Sequence, residues 1–297
     1  MQKISTVSTL LRLKLARRMV DAHSRWLGDA GLPSIACFPR DWIGRAIVGD
    51  GLHERELLEA LELTLLTREP AWRDAVALDV GANIGNHTLF FSRFFARIIS
   101  FEPNPLTVHL LHANVMANGV SNVTIIEAGL SDSNGNLPFV MSEGNLGEAR
   151  IVAPGTAASA GTIPLRIGDE VVAEQGIGER RIAFIKIDVE GHELPALRGL
   201  AGTLSRYQPV VAFESNFAHG DGGGAVVVDY LKSCGYTDFY TLEARTLFPQ
   251  FMRIGVVKFF EKLLIGHSKE LRPLANLADR FYPLVLASMR PLALTRA

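Results

Sequence analysis

Cysteine is nearly missing: Cys37 and Cys234 are the two thiols of the 297-residue chain. Neither belongs to a C-x-x-C pair, so the sequence carries neither a disulfide framework nor a thiolate zinc site. Two unclustered thiols fit a reducing compartment, and the expected location is the cytoplasm. Long apolar runs are absent too. The best candidate, 281–289, falls far short of the ~20 residues that span a bilayer and is broken by Pro283. The first residues lack a compact apolar stretch with a small-residue cleavage site, so no secretory leader is expected. Charge of either sign is not in excess, with 30 Lys and Arg against 31 Asp and Glu. At 48% hydrophobic and 21% charged residues, the composition excludes a chain too polar to collapse.

The balance of charge hides an uneven distribution. Residues 1–30 carry a net +4, residues 251–297 a net +5, and the stretch between them a net −10. An acidic body argues against a surface that tracks a nucleic-acid backbone. Both basic ends interleave Arg and Lys with large apolar residues. Such segments read either as helices lying in a membrane interface or as helices packed on the body with basic stems snorkelling outward. Packing is the preferred reading for both. The stretch 256–265, with Phe259, Phe260, Leu263 and Leu264 around Lys258 and Lys262, is the better candidate for peripheral membrane contact.

Periodicity divides the chain in three. Residues 7–27 predict an amphipathic helix, 34–50 a loop-rich stretch, and 54–66 a second helix, so 1–70 reads as an N-terminal helical extension. Apolar runs then alternate with helical stretches: strands at 75–80, 97–101 and 123–127, helices at 86–95 and 106–118. Residues 133–180 interrupt with a hairpin-like insertion. Strands at 182–187, 209–213 and 237–242 and helices at 193–200 and 226–234 resume the alternation. Short connections between strands and helices predict an α/β fold with a doubly wound, mostly parallel, seven-stranded sheet over 71–245. Residues 246–297 read as a C-terminal helical extension.

The chemistry begins at Asp79-Val80-Gly81-Ala82-Asn83-Ile84-Gly85-Asn86, a glycine turn at the end of the first strand. It is not G-x-G-x-x-G, which argues against a dinucleotide-dependent dehydrogenase. An acid two residues before the first glycine would repel a pyrophosphate, whereas it suits a cationic amino-acid end. The plain alternative is an ordinary strand-to-helix turn. Glu102 ends the next strand, 23 residues after Asp79. A carboxylate there can accept both hydroxyls of a ribose, and the alternative is an exposed strand-end acid.

With these motifs the sequence resembles the S-adenosylmethionine-dependent methyltransferases of the Rossmann-like class I, and more narrowly the FkbM family. The resemblance rests on Leu78–Gly85, Phe101-Glu102-Pro103-Asn104-Pro105, Asn114-x-x-x-Asn118, Gly129-Leu130-Ser131-Asp132 and Ile185–Glu193, in that order, over about half the chain. Gly129 stands where the family usually has Ala. The resemblance implies S-adenosylmethionine as cofactor, with Asp79, Gly81, Asn83 and Gly85 lining its methionine and ribose end. It also implies ribose hydroxyls on Glu102, adenosine beside Asn104, and adenine near Ser131 and Asp132. Spacing alone supports only Asp79, Glu102 and the glycines.

The third constellation, Lys186-Ile187-Asp188-Val189-Glu190-Gly191-His192-Glu193, crowds acids, a His and a Lys at a strand end, where open α/β sheets bind ligands. Asp188, Glu190 and His192 are the candidates for removing a proton from an acceptor hydroxyl. Glu193 reads better as a first-turn acid favoured by the helix dipole, and Lys186 as a structural ion-pair partner. Glu214 is a further strand-end acid, and His219 and Asp221 sit on a glycine-rich loop that could cover the site. No ligand spacing supports a metal. The resulting expectation is an O-methyltransferase acting on a hydroxyl of a sugar, glycan or secondary metabolite. The competing readings are an RNA methyltransferase and a cofactor-binding protein without catalysis. Asp188-Val189-Glu190-Gly191 stands where amine-methylating enzymes carry Asn/Asp-Pro-Pro-aromatic, which argues against the first.

Overall fold

The computed structural model describes residues 6–142, 145–152, 160–215, 223–244, 269–275 and 280–292. Three helices open the chain: α1 (Thr6–Asp29), α2 (Trp42–Asp50) and α3 (Arg55–Thr64). Then follow β1 (Val76–Val80), α4 (Asn86–Phe91), β2 (Arg97–Phe101), α5 (Pro105–Ala117) and β3 (Val123–Ile126). The insertion comprises β4 (Gly129–Ser131), β5 (Gly135–Ser142), β6 (Asn145–Ile151), β7 (Gly161–Ile167) and α6 (Gly168–Glu174). The remainder is β8 (Ile182–Ile187), α7 (Glu193–Gly199), α8 (Ala201–Tyr207), β9 (Val210–Ser215), α9 (Gly223–Ser233), β10 (Asp238–Ala244), β11 (Lys269–Pro273) and β12 (Tyr282–Ser288).

The main sheet runs β11-β10-β12-β9-β8-β1-β2-β3. The five strands from β9 to β3 pair in parallel, and the three at the other end pair antiparallel. β1 and β8 lie in the middle and are buried at every residue. That burial on both faces is why they read as unbroken apolar runs rather than as alternating strands. One apolar cluster covers each face, so the sheet is doubly wound as its alternation predicts.

The expected seven strands are eight among the described residues, and the helical C-terminal extension is a correction. The described part of 246–297 folds as β11 and β12, and β12 inserts between β9 and β10. Proline disguised it. Pro283 lies where the register with β9 shifts, between Tyr282 and Val285, and a bulge is where a strand tolerates a missing N–H. The stretch 256–265, the stronger membrane candidate, and His219 and Asp221 lie outside the described residues.

Two other expectations change. The loop-rich stretch 34–50 holds α2, whose start is capped by the Asp41 carboxylate accepting from the Gly44 amide. The hairpin-like insertion is a separate four-stranded sheet, β4-β7-β5-β6. The amphipathic helix over 7–27 is present as α1, but its Leu11, Leu13, Leu15, Met19 and Val20 are exposed rather than packed. α3 behaves differently. Leu57, Leu58 and Leu61 fall on one helical face and enter the core beneath β12 and β10.

Phe184 of β8 anchors that second core. Its ring lies 5.2 Å from Phe91, 5.7 Å from Trp72 and 5.9 Å from Phe95, joining α4 and the 3-10 turn Pro70–Asp74 to the sheet. Phe184→Ala should therefore destabilise the fold by about 3–5 kcal/mol, read as a lowered urea midpoint with unchanged slope.

Candidate active site

β1 delivers the glycine turn to the carboxyl end of the sheet. Gly81 has φ +79°, and a methyl group on it would collide with the Asp188 carbonyl oxygen at the end of β8. Only glycine lets these two strand ends close on each other. The Gly81 and Ala82 amides donate to the Phe101 carbonyl at 3.0 and 2.9 Å, tying the turn to β2.

β2 ends in Glu102, which is buried. Its Oε2 accepts from the Asn83 amide at 2.7 Å and its Oε1 from the Asn104 amide at 2.9 Å. Burial pushes this carboxyl above its ordinary value, and the two backbone amides pull against that. The amides fix the carboxylate plane while using only part of its acceptor capacity, so each oxygen can still take a hydroxyl.

Beneath the turn, Lys186 Nζ lies 3.3 Å from Asp79 Oδ1 and 3.5 Å from Asp188 Oδ2, and donates to the Gly81 carbonyl at 2.8 Å. Burial alone would lower this ammonium, but Asp79 and Asp188 outweigh it and hold it above its ordinary value. Thr88 Oγ1 donates to the other Asp79 oxygen at 2.6 Å.

A cavity of about 770 Å³ opens over these strand ends. It falls in the size range of small-molecule sites. Gly81, Asn83, Glu102, Asp188, Glu190 and His192 all line it, as does Glu214. S-adenosylmethionine fits this donor set: the cavity offers a buried, pre-oriented carboxylate for a ribose diol and an acidic wall for a cationic sulfonium.

The other proposed cofactor residues stand behind this wall. Asp79 is fully buried against Lys186 and Thr88. Gly85, at φ +93°, leaves room for Leu111 of α5. Asn104 caps α5 by accepting from the Leu106 amide at 3.0 Å. Ser131 Oγ pairs with His192 Nε2 at 3.0 Å, and Asp132 is exposed. His192 is thus tied to β4, and burial lowers its imidazole below the ordinary value. Glu190 turns the chain after β8 at φ +52°. Glu193 accepts from the Gly191 and Val189 amides at 3.1 and 3.3 Å, holding that turn. Burial, then Asp188, Glu190 and Glu54, push the Glu214 carboxyl up to about 8.

The structure adds residues that no motif marked. His53 and Glu54, between α2 and α3, line the cavity together with Trp42 and with His87 of α4. The Asn86 side chain brackets the His53 backbone, accepting from its N–H at 2.9 Å and donating to its carbonyl at 3.0 Å. Burial lowers the His53 imidazole, with Glu54 opposing. Burial alone would raise Glu54, but His87, 3.4 Å away, overcomes it and holds that carboxyl low. Some 33 residues separate His53 from Asn86, and no spacing rule connects them. Among the described residues no group of three His, Cys, Asp or Glu is placed to hold a metal ion.

A family model described as the methyltransferase FkbM domain matches residues 79–237, more than half of the chain. The chain belongs to this family. It is 33% identical over 161 residues to the hexuronic acid methyltransferase AglP of Haloferax volcanii, covering 53% of this chain and 63% of that protein. It is 32% identical over 138 residues to the methyltransferase sdnD of Sordaria araneosa, covering 44% and 48%. The chain thus spans less than two thirds of either curated relative. A solved FkbM methyltransferase from Methylobacillus flagellatus is 21% identical, with a TM-score of 0.42 over 59% of this chain and 41% of that one. The FkbM match begins at Asp79, so Trp42, His53 and Glu54 reach the cavity from outside the matched segment.

Lys186→Met should leave Asp79 buried without its counter-ion and destabilise the protein by about 3–5 kcal/mol in urea. Glu214 gives a pH signature. The folded state keeps its proton to about pH 8, while an unfolded carboxyl releases it near 4.5. Stability therefore declines as pH rises through that window. Glu214→Gln has no proton to lose, and its melting temperature should fall less than wild type's between about pH 5 and about pH 8.

Proposed function

We propose that this FkbM-family protein transfers a methyl group from S-adenosylmethionine to a hydroxyl oxygen of a sugar, glycan or other small metabolite. Glu102 carries the reading. A buried carboxylate, held in plane by two amides on the wall of a ligand-sized cavity, is built to take the two hydroxyls of a ribose. The cofactor supplies a methyl group on a positively charged sulfur, so the protein's work is largely alignment of the acceptor.

Asp188, Glu190 and His192 line the cavity and remain the candidates for taking the hydroxyl proton. His53 joins them, because its imidazole is kept neutral by burial and its Nδ1 has no hydrogen-bond partner among the described residues. Glu214, protonated at neutral pH, is a donor there rather than a base. The acidic lining favours a neutral hydroxyl and disfavours a polyanion such as RNA. The name of AglP, which acts on a hexuronic acid, supports a sugar as the acceptor class. Two free, half-buried cysteines support a cytoplasmic location.

Titration of S-adenosylhomocysteine by calorimetry tests the cofactor site. Glu102→Ala should bind roughly 10–100-fold more weakly than wild type, as expected for losing hydrogen bonds to a charged group. Equal affinity would remove the ribose role. Binding without methyl transfer to any sugar or metabolite pool would favour the non-catalytic reading.

A further inference from the structure

We propose that α1 docks on an anionic lipid surface and thereby turns the mouth of the cavity toward the membrane. Leu11, Leu15, Met19, Ala22 and Trp26 recur along α1 at helical spacing and share one face. The four large ones are between 50% and 69% exposed. Leu13 and Val20, on the opposite side of the helix, are exposed as well. The Leu11–Trp26 stripe suits immersion in the headgroup–acyl boundary.

Lys14, Arg18 and Arg25 run beside this stripe, also exposed, and residues 1–30 carry a net +4. A basic flank on an apolar helix selects a surface that is negative outside and apolar within, which an anionic bilayer supplies. Among the described residues no helix is long and apolar enough to cross a membrane, so α1 would lie on the surface.

The helix is not a loose arm. His23 Nε2 lies 2.8 Å from the Val48 carbonyl of α2, and the Arg55 guanidinium sits 5.3 Å from the Trp26 ring. α2 in turn brings Trp42 to the cavity. Trp42 and Phe281 are 68% and 54% exposed while lining the cavity, so its rim carries two aromatic rings open to solvent. Aromatic rings at such a rim favour the headgroup level of a bilayer. An acceptor displayed at a lipid surface would then reach the cavity without crossing open water.

The docking does not depend on the methyl-transfer reading, and one experiment separates them. The full-length protein is pelleted with phosphatidylcholine vesicles prepared with or without phosphatidylglycerol. S-adenosylhomocysteine calorimetry and melting temperature are recorded on the same samples. Pelleting should rise roughly tenfold with the anionic lipid and decline with added salt. It should also drop roughly tenfold in Leu11→Ser/Leu15→Ser/Met19→Ser and in Lys14→Gln/Arg18→Gln, both of which keep the wild-type melting temperature and cofactor affinity. No pelleting on anionic vesicles overturns the proposal. So does undiminished pelleting of the stripe variant, which would move binding to another segment such as 256–265. Self-association lost in the stripe variant without any vesicle binding overturns it too, by making the face a protein interface.

Discussion

One buried ammonium holds the working end of the sheet together. Asp79 and Lys186 are register partners on the adjacent parallel strands β1 and β8, so their side chains leave the sheet side by side. Neither charge can sit alone in that interior, because stripping an ion of water costs several kcal/mol unless a partner and hydrogen bonds replace it. Lys186 meets the requirement for both strands by reaching Asp79, Asp188 and the Gly81 carbonyl. The turn after β1 is thereby fixed from below, and its upper amide, from Asn83, orients Glu102. The order of dependence runs from ion pair to turn to carboxylate.

That pair also sets the charge of the cavity. With Lys186 engaged beneath the turn, Asp188, Glu190, Glu54 and Glu214 face the same space. The system answers in two ways. Glu214 keeps its proton, and Glu54 finds His87. The remaining negative potential suits a cationic cofactor, and it makes the segment between α2 and α3 part of the site rather than an appendage. Its anchoring is local and specific, since one amide side chain, Asn86, binds both backbone groups of His53.

The fold was largely legible because parallel strands buried on both faces leave plain apolar runs, as in β1, β2 and β8. It was not legible where one local signal contradicted the tertiary outcome. Pro283 argued against the strand that the structure places between β9 and β10, and a bulge accommodates it. The mixed composition of 34–50 hid α2, which Asp41 caps in the structure. At the site, Gly81 and Glu102 were readable because close approach needs glycine and a ribose needs a strand-end acid. Asp79 was readable as important, but its contacts are with Lys186 and Thr88 inside the protein.

Sequence alone therefore determined the sheet class, the family resemblance and the strand-end acids, all of which are encoded in runs of a few neighbouring residues. The tertiary structure decided which acids reach the cavity and which stand behind it. It decided that Glu214 is protonated, that His192 faces Ser131, and that α1 leaves its apolar stripe uncovered by the described residues. These are properties of burial and of contacts between residues tens of positions apart, and no local pattern carries that information.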